Sequence, residues 1–207
     1  MGFPAEYPYK KLLMPLLKVK QKEYAAGTPL GITIHYSAHV RPMATIQALE
    51  MRSLGYHILI GRSGNIIQLA DLSKTVPHAG RASWNGTSPN QNHLAICLSS
   101  WGWVEPSGQD FKAWIGALIS PDEVQKGPGA GGGIEYWHMA TDEQYAALTR
   151  ICLWAAKTGN IPLASICGHD EAAIPPGRKN DPGFILGCSM DEYRKRLDHA
   201  LRSSLQS

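Results

Sequence analysis

Two histidines and one aspartate stand at positions from which they could hold a metal ion. His35 lies near the carboxyl end of the apolar segment 31–36, on its polar face, and His169 directly follows a second apolar segment, 163–167. Asp181 comes twelve residues after His169, in a Lys-Asn-Asp-Pro-Gly loop. Two imidazoles and one carboxylate suit a catalytic zinc ion, because a fourth position stays open for a water molecule whose pKa the metal lowers. The sequence therefore offers one candidate zinc site, provided that the fold brings His35 next to the other two residues.

Lys179 precedes Asp181 by two residues, so in an extended segment the two side chains lie on the same side of the chain. Its ammonium group could hold the carboxylate of Asp181, or it could stabilise an oxyanion that forms on a substrate. The alternative is a surface lysine in a loop rich in proline and glycine. Both interpretations stay open at this level.

The elements that would position these residues alternate between strands and helices. Strand-like apolar segments lie at 31–36, 56–60, 66–69, 94–98 and 163–167. Helices are predicted over 43–54, from the capping box Thr141–Gln144 to a stop at Gly159, and from a second capping box, Ser189–Glu192. This mixture favours an α/β sheet flanked by helices, which commonly builds its sites at the ends of strands.

Residues from about 101 to 140 interrupt this alternation. They include a glycine-rich run and four of the six tryptophans, Trp101, Trp103, Trp114 and Trp137. The stretch is too apolar for a solvated linker and too broken for one long helix, so it is predicted to be an insertion. Its tryptophans could stack on sugars, dock a protein partner, or simply pack the insertion onto the core. Residues 1–29 are predicted to form an irregular N-terminal arm. Residues 30–207 are predicted to form one domain, which includes the insertion.

The composition excludes several classes of protein. A chain of 207 residues with 43% hydrophobic residues can bury a core, and a net charge of +3 is too weak to indicate nucleic-acid binding. No apolar run is long enough to span a membrane, and the short apolar stretch 12–17 lacks the features of a signal peptide. The cysteines, which lack C-x-x-C spacing, are predicted to be free buried thiols, with disulfides as the alternative: Cys97, Cys152, Cys167 and Cys188.

Six short motifs occur in the order found in a known family of enzymes. They are the segment 32–38, Gly55-Tyr56-His57 with the turn 63–65, Val76-Pro77-His78-Ala79-Gly80, the strand after Asn92, Gly168-His169-Asp170, and Lys179-Asn180-Asp181-Pro182-Gly183. Each motif is weak alone. Together they make the chain resemble the zinc-dependent N-acetylmuramoyl-L-alanine amidases of the type-2 amidase and peptidoglycan-recognition superfamily. The resemblance runs from about residue 31 to 181, apart from the insertion.

The resemblance implies a central mixed β-sheet flanked by helices. It also implies cleavage of the amide between N-acetylmuramic acid and L-alanine in bacterial peptidoglycan. One zinc ion per chain is implied on His35, His169 and Asp181. Tyr56, which orients water or assists proton transfer, and Lys179, which stabilises the oxyanion, are the implied catalytic residues. Because neighbouring residues of a strand face opposite ways, only one of Tyr56 and His57 should point into the site, and we expect it to be Tyr56.

Three further residues are candidate contacts of the substrate. The His-Ala-Gly segment lines the substrate groove in the family, which makes His78 a candidate, with a structural loop histidine as the equal alternative. Trp84 and Asn92 follow in the same region and are the other two candidates.

Two positions depart from the family pattern. The wall-recycling members place a glutamate general base where this chain has Cys97, whereas small phage amidases carry an apolar or cysteine residue there and rely on tyrosine and lysine. The site thus resembles the phage branch, except that its third ligand is aspartate instead of cysteine. His93 stands where the family usually has serine and receives no predicted role.

Two other functions remain open beside the amidase: a module that binds peptidoglycan without cleaving it, and a zinc hydrolase that cuts another amide of muropeptides. For the location, we expect synthesis in the cytoplasm without a signal peptide. The protein would then act on the cell wall after release by a holin or a secretion system, or on muropeptides inside the cell.

Overall fold

The computed structural model describes residues 2–8, 17–129 and 132–203. The strands in these ranges are β1 Lys22–Glu23, β2 Gly31–Tyr36, β3 Ile58–Ile60, β4 Ile66–Gln68, β5 Lys74–Thr75, β6 His93–Leu98, β7 Trp103–Ser107, β8 Asp110–Lys112, β9 Leu118–Ile119, β10 Val124–Pro128, β11 Ile134–His138 and β12 Ile166–Gly168. The α-helices are α1 Pro42–Arg52, α2 Pro89–Asn92, α3 Asp142–Gly159, α4 His169–Ala172 and α5 Met190–Ser203.

A five-stranded sheet forms the centre of the molecule. Its strand order is β12-β2-β6-β3-β4, and its pairs are parallel except for the antiparallel hairpin of β3 and β4. Strand β6 is buried along its whole length and β2 along all but its last residue, as expected for parallel strands that are covered on both faces. The predicted fold class, a single α/β domain with a central mixed sheet flanked by helices, is confirmed.

The long helix α3 covers one side of this core and begins where its sequence predicts. The Thr141 hydroxyl accepts a hydrogen bond from the Gln144 backbone N–H, and the Gln144 side chain accepts one from the Thr141 N–H. The helix ends at Gly159, as predicted, but the left-handed cap is the next residue, Asn160, with φ of 51°. Asparagine tolerates this conformation nearly as well as glycine does, so the helix can include Gly159.

Several other element bounds differ from the prediction. The strand predicted over 56–60 is β3, which begins only at Ile58, so Tyr56 and His57 precede it. Helix α1 ends at Arg52, where Ser53 takes a left-handed conformation. The predicted strand 163–167 is a single turn of 3-10 helix over Leu163–Ser165 followed by β12. Pro162 precedes that turn, and the side chains of the turn are partly exposed, so only the last residues of the segment enter the sheet.

The described parts of the N-terminal arm, residues 2–8 and 17–29, contain more regular structure and more buried residues than predicted. Strand β1 pairs antiparallel with β5, and Phe3, Tyr7 and Tyr24 are buried in the main core. The apolar stretch 12–17 lies outside the described residues except for Leu17, which is buried and donates its backbone N–H to the Leu69 carbonyl. The arm therefore contributes to the core instead of lying loose on it.

The insertion forms a second, antiparallel sheet with strand order β10-β11-β7-β8-β9. A small core of Val104, Ala113 and Ile119 lies on one of its faces. Sequence patterns did not predict these strands, because each has only two to five residues and tight turns follow at once. Gly108 and Gly116 supply the positive φ angles of two of these turns.

The insertion packs directly on the loop that carries Asp181. Trp137 is fully buried and lies so close to Gly183 that a Cβ atom there would be 2.2 Å from the indole ring. Gly127 lies equally close to the ring of Phe184, and the Gln125 amide donates to the Phe184 carbonyl. One face of the small sheet thus holds residues 182–184 in place.

The four tryptophans of the insertion have different surroundings. Trp137 belongs to the main core and Trp101 packs against the small core, whereas Trp103 and Trp114 are 38% and 64% exposed. The exposed Trp114 is nevertheless fixed, since its indole N–H donates to the Ala38 carbonyl over 2.9 Å. Packing explains two of these residues, and a sugar or protein partner of the insertion stays a prediction.

Two expectations about composition can be compared with the structure. All four cysteines are free and buried, which confirms the prediction of reduced thiols. None of the helices in the described ranges combines the length and the apolar composition that crossing a membrane would require.

Candidate metal centre

The structure brings the three predicted ligands together at the carboxyl ends of two neighbouring strands. His35 belongs to β2, and His169 directly follows Gly168 of β12, which pairs with Ile34. The parallel register therefore sets the two histidines level with each other. The Asp181 Oδ2 atom lies 2.7 Å from His35 Nδ1 and 3.0 Å from His169 Nδ1. These three atoms could hold one metal ion.

Hydrogen bonds on the far side of each imidazole define which nitrogen carries the proton. The Nε2–H of His169 donates to the Ala79 carbonyl over 2.8 Å, so the neutral form of this ring has its lone pair on Nδ1. The Nε2–H of His78 donates to the Pro89 carbonyl over 3.1 Å, so His78 Nδ1 accepts from His35 Nε2–H over 2.9 Å. The Nδ1 of His35 therefore also carries a lone pair.

Three acceptor atoms consequently face one another within hydrogen-bonding distance. Burial lowers the pKa of His35, which keeps its imidazole neutral. A shared cation would satisfy two imidazole nitrogens and one carboxylate oxygen at once, so the residues fit a metal ion.

Tyr56 and Cys97 lie beside this cluster. The Tyr56 ring centroid is 4.9 Å from that of His35, and Cys97 is paired with His35 across β2 and β6. Burial raises the pKa of both groups well above their ordinary values, so the phenol and the thiol both keep their protons. The structure thus places a protonated thiol beside the cluster, at the position where the wall-recycling members carry a glutamate.

Tyr56 lies against His35 and His57 is hydrogen-bonded elsewhere, as predicted, although both residues precede β3 instead of belonging to it. The Nδ1 of His57 accepts from the Ala95 backbone N–H over 2.8 Å, and its Nε2–H donates to the Lys74 carbonyl over 2.8 Å. Both nitrogens are therefore engaged in structural hydrogen bonds.

Lys179 is half-buried on the loop that carries Asp181. Its charge is close enough to His35 to contribute to the lowered pKa of that imidazole, after the larger effect of burial. The lysine thus supplies positive potential at the metal cluster, and its catalytic role stays a prediction.

The three candidate substrate contacts are placed differently. His78 is buried and uses both ring nitrogens within the protein, which favours the structural alternative at this position. The Trp84 indole N–H donates to the Ala164 carbonyl, at the amino end of β12. His169 lies at the opposite, carboxyl end of that strand. The structure therefore does not bring Trp84 to the cluster.

Asn92 is also buried, and its amide donates to the Ser88 carbonyl over 3.4 Å. The residue that reaches the site region is Asn90, which the sequence analysis did not select. Its side chain binds three backbone groups of the loop 78–80. Asparagine often binds nearby backbone groups in loops, but that signal does not distinguish Asn90 from Asn92.

His93, which had no predicted role, is a structural residue at the amino end of β6. Its Nδ1 lies 2.9 Å from the Thr33 hydroxyl oxygen, and the whole side chain is buried. It lies at the opposite end of the sheet from the metal cluster, since β6 runs parallel to β2.

Three buried histidines away from both the metal cluster and the loop 78–80 predict a loss of stability in mild acid: His57, His93 and His138. Burial lowers the pKa of His57 and His93 to about 4 and that of His138 to about 3. Between pH 6.5 and 4 the unfolded chain binds protons that the folded chain does not. The free energy of unfolding therefore decreases as the pH is lowered through this range. Each histidine accounts for at most about 3 kcal/mol of this change. Asp170, whose pKa burial raises to about 7, offsets part of it with the opposite sign.

Urea unfolding at pH 7, 6, 5 and 4, with metal chelated, measures this dependence. The variant His93→Asn is expected to show a shallower decrease than the wild type, because one of the three groups is gone. A free energy of unfolding that stays constant from pH 6.5 to 4 would contradict the assignment of neutral buried imidazoles.

Comparisons with known proteins agree with this geometry. The family model described as N-acetylmuramoyl-L-alanine amidase, Amidase_2, matches residues 25–184. No curated protein sequence matches the chain.

Several solved structures share the fold. The amidase AmiD from E. coli, in complex with anhydro-N-acetylmuramic acid-L-Ala-D-gamma-Glu-L-Lys, has a TM-score of 0.60 at 20% identity, over 82% of this chain and 57% of that one. An AmpD structure gives 0.58 at 16% identity, over 95% and 97% of the two chains. The endolysin amidase LysCS from Clostridium intestinale gives 0.59 at 13% identity, over 94% and 98%. The chain thus spans little more than half of AmiD and nearly all of the other two.

The family match covers well over half of the sequence and includes all three ligands of the metal cluster, on a fold shared with these amidases. The chain therefore belongs to the N-acetylmuramoyl-L-alanine amidase family.

Proposed function

We propose that this protein is a zinc-dependent N-acetylmuramoyl-L-alanine amidase that hydrolyses the amide between N-acetylmuramic acid and L-alanine in peptidoglycan. The observation that carries the proposal is the convergence of His35 Nδ1, His169 Nδ1 and Asp181 Oδ2, all as acceptors, on one point. Nitrogen and oxygen ligands in a set of three are typical of catalytic zinc, which keeps a position for water.

The chain's own residues have separate tasks in this reaction. When bound, zinc would lower the pKa of a water molecule and polarise the scissile carbonyl. Lys179 places its positive charge where the carbonyl oxygen of the substrate gains negative charge. Tyr56, whose raised pKa keeps the hydroxyl protonated, orients the attacking water through a hydrogen bond. Cys97 holds its proton and packs beside His35 without taking part in proton transfer.

Digestion of purified peptidoglycan tests the reaction. Mass analysis of the products is expected to show intact glycan strands and free stem peptides that begin with L-alanine. A chelator should stop this release, and added zinc should restore it. Release of shortened sugars, or of peptides cut at another amide, would contradict the proposed bond and support a different hydrolase.

A binding module without activity is the second candidate, and the same experiment separates it. Such a module would sediment with the wall and release nothing. The complete ligand set argues against it, because a pure binding function needs neither the buried carboxylate nor the two oriented imidazoles.

The place of action follows from the substrate. We propose that the protein meets peptidoglycan either outside the membrane, after release by a holin or a secretion system, or as muropeptide fragments inside the cell. Activity on whole sacculi compared with soluble muropeptides would distinguish these settings, because a wall-lytic enzyme should digest both and a recycling enzyme mainly the fragments.

A further inference from the structure

The outer hydrogen-bond partners of both histidine ligands come from one short loop, residues 78–80. The His78 ring accepts from His35 Nε2–H over 2.9 Å, and the Ala79 carbonyl accepts from His169 Nε2–H over 2.8 Å. Such partners fix the tautomer and the direction of a ligand imidazole. The position of this loop therefore determines where both Nδ1 lone pairs point.

One side chain holds the loop. The Asn90 Oδ1 atom accepts from the backbone N–H groups of His78 and Ala79 over 2.9 and 2.8 Å, and its Nδ2 donates to the Gly80 carbonyl over 2.6 Å. Three consecutive residues are thus bound by one amide. No other neutral side chain of this size offers two acceptor sites and a donor in the same plane.

The support for Asn90 is itself rigid. Asn90 lies in α2, directly before β6, and β6 pairs with β2 along its whole length. The preceding residue, Pro89, gives its carbonyl to His78 Nε2–H. The same turn of chain thus holds the backbone of the loop through Asn90 and the His78 ring through Pro89.

We propose that Asn90 is a positioning residue of the metal centre, which acts on His35 through His78 and on His169 through the Ala79 carbonyl. The inference rests on the proposed zinc function. Asn90 is neither a proposed metal ligand nor a proposed catalytic residue, so this role is additional to theirs.

Zinc affinity is the direct readout, measured on the full chain by competition with a chromophoric chelator. Outer partners of metal ligands typically change affinity by roughly 10- to 100-fold, and Asn90→Ala is expected to fall in this range. Asn90→Asp keeps the two acceptor bonds and loses the donor to Gly80, so its affinity should lie between those of Asn90→Ala and the wild type. His78→Phe, which removes one of the two outer partners, should also weaken binding.

A double variant tests the proposed route. If Asn90 acts partly through His78, the loss in affinity of Asn90→Ala with His78→Phe should be smaller than the product of the two single losses. Losses that multiply fully would overturn the part of the proposal that runs through His78.

Asn92→Ala is the matched control. This residue lies on the same helix, is more buried than Asn90, and makes a 3.4 Å hydrogen bond to Ser88 outside the loop 78–80. It should lower the melting temperature about as much as Asn90→Ala while leaving zinc affinity unchanged. All variants are compared at a temperature at which circular dichroism shows them folded.

The outcomes separate this proposal from the function on which it rests. A wild type that binds zinc, combined with an unchanged affinity of Asn90→Ala, overturns the positioning role alone. Equal losses of affinity in Asn90→Ala and Asn92→Ala also overturn it, because they would show a general effect of destabilising α2. A wild type that binds no zinc overturns the proposed function and this inference together.

Discussion

Replacing Asp181 with alanine is expected to abolish zinc binding and to lower amidase activity at least about 10³-fold. The carboxylate lies between the two Nδ1 atoms of His35 and His169, so its removal leaves two neutral ligands and no charge to balance the cation. Metal polarisation of a carbonyl is worth several kcal/mol, and each 1.4 kcal/mol is about tenfold in rate.

Metal analysis of the purified variant and clearing of a cell-wall suspension measure the two effects of Asp181→Ala. Asp191→Ala is the control, because that carboxylate is exposed on α5 and pairs with Lys195. A variant Asp181→Ala that retains one zinc ion per chain would remove Asp181 from the ligand set.

Replacing Lys179 with methionine is expected to keep the zinc and to lower kcat by roughly 10²- to 10³-fold, the usual cost of losing a group that stabilises an oxyanion. Lys179 is half-buried, and its charge acts on His35, but it is not one of the three ligands. Its charge should therefore matter more when the carbonyl oxygen becomes negative than when the substrate binds.

Steady-state kinetics on a soluble muropeptide, together with the zinc content, separate the alternatives for Lys179. A raised KM with unchanged kcat would show that the lysine only binds substrate. Loss of zinc would show that it serves to hold the Asp181 carboxylate. Lys126→Met is the control, since that lysine lies on the insertion, 5.5 Å from the Tyr136 ring centroid.

The ligand set could be predicted from sequence because its signals are local. His35 lies near the end of one apolar segment, His169 follows another, and Asp181 stands in a short motif. The sequence did not show that the two segments are neighbouring strands of the sheet. The parallel register of β12 and β2 sets His169 level with His35. Tyr56 does lie against His35 and His57 is bound elsewhere, as expected, but both residues precede β3, so strand alternation is not the cause of this arrangement.

The surroundings of the site could not be predicted in the same way. Asn90 and Asn92 are indistinguishable in sequence, and only the path of the loop 78–80 decides which of them binds backbone. His78 and Trp84 lie six residues apart, yet one contacts His35 and the other lies beyond the far end of β12. These outcomes depend on contacts between segments that are distant along the chain.

The strands of the insertion escaped prediction for a different reason. Strands β8 and β9 have only three and two residues, which is too few to show alternation. Strands β7, β10 and β11 have five residues each, but apolar and polar residues do not alternate regularly along them. Of the tryptophans and glycines concentrated there, Trp137 and Gly127 lie where the insertion meets the loop that carries Asp181.

The contact between Trp137 and Gly183 couples the evolution of the insertion to that of the active site. The indole occupies the space that any side chain at position 183 would need, and residue 183 is two positions from Asp181. A mutation in either partner must therefore be tolerated by the other before it can persist in a functional enzyme. Residues 103–138 and the loop 179–184 should be inherited, exchanged between proteins and engineered as one unit.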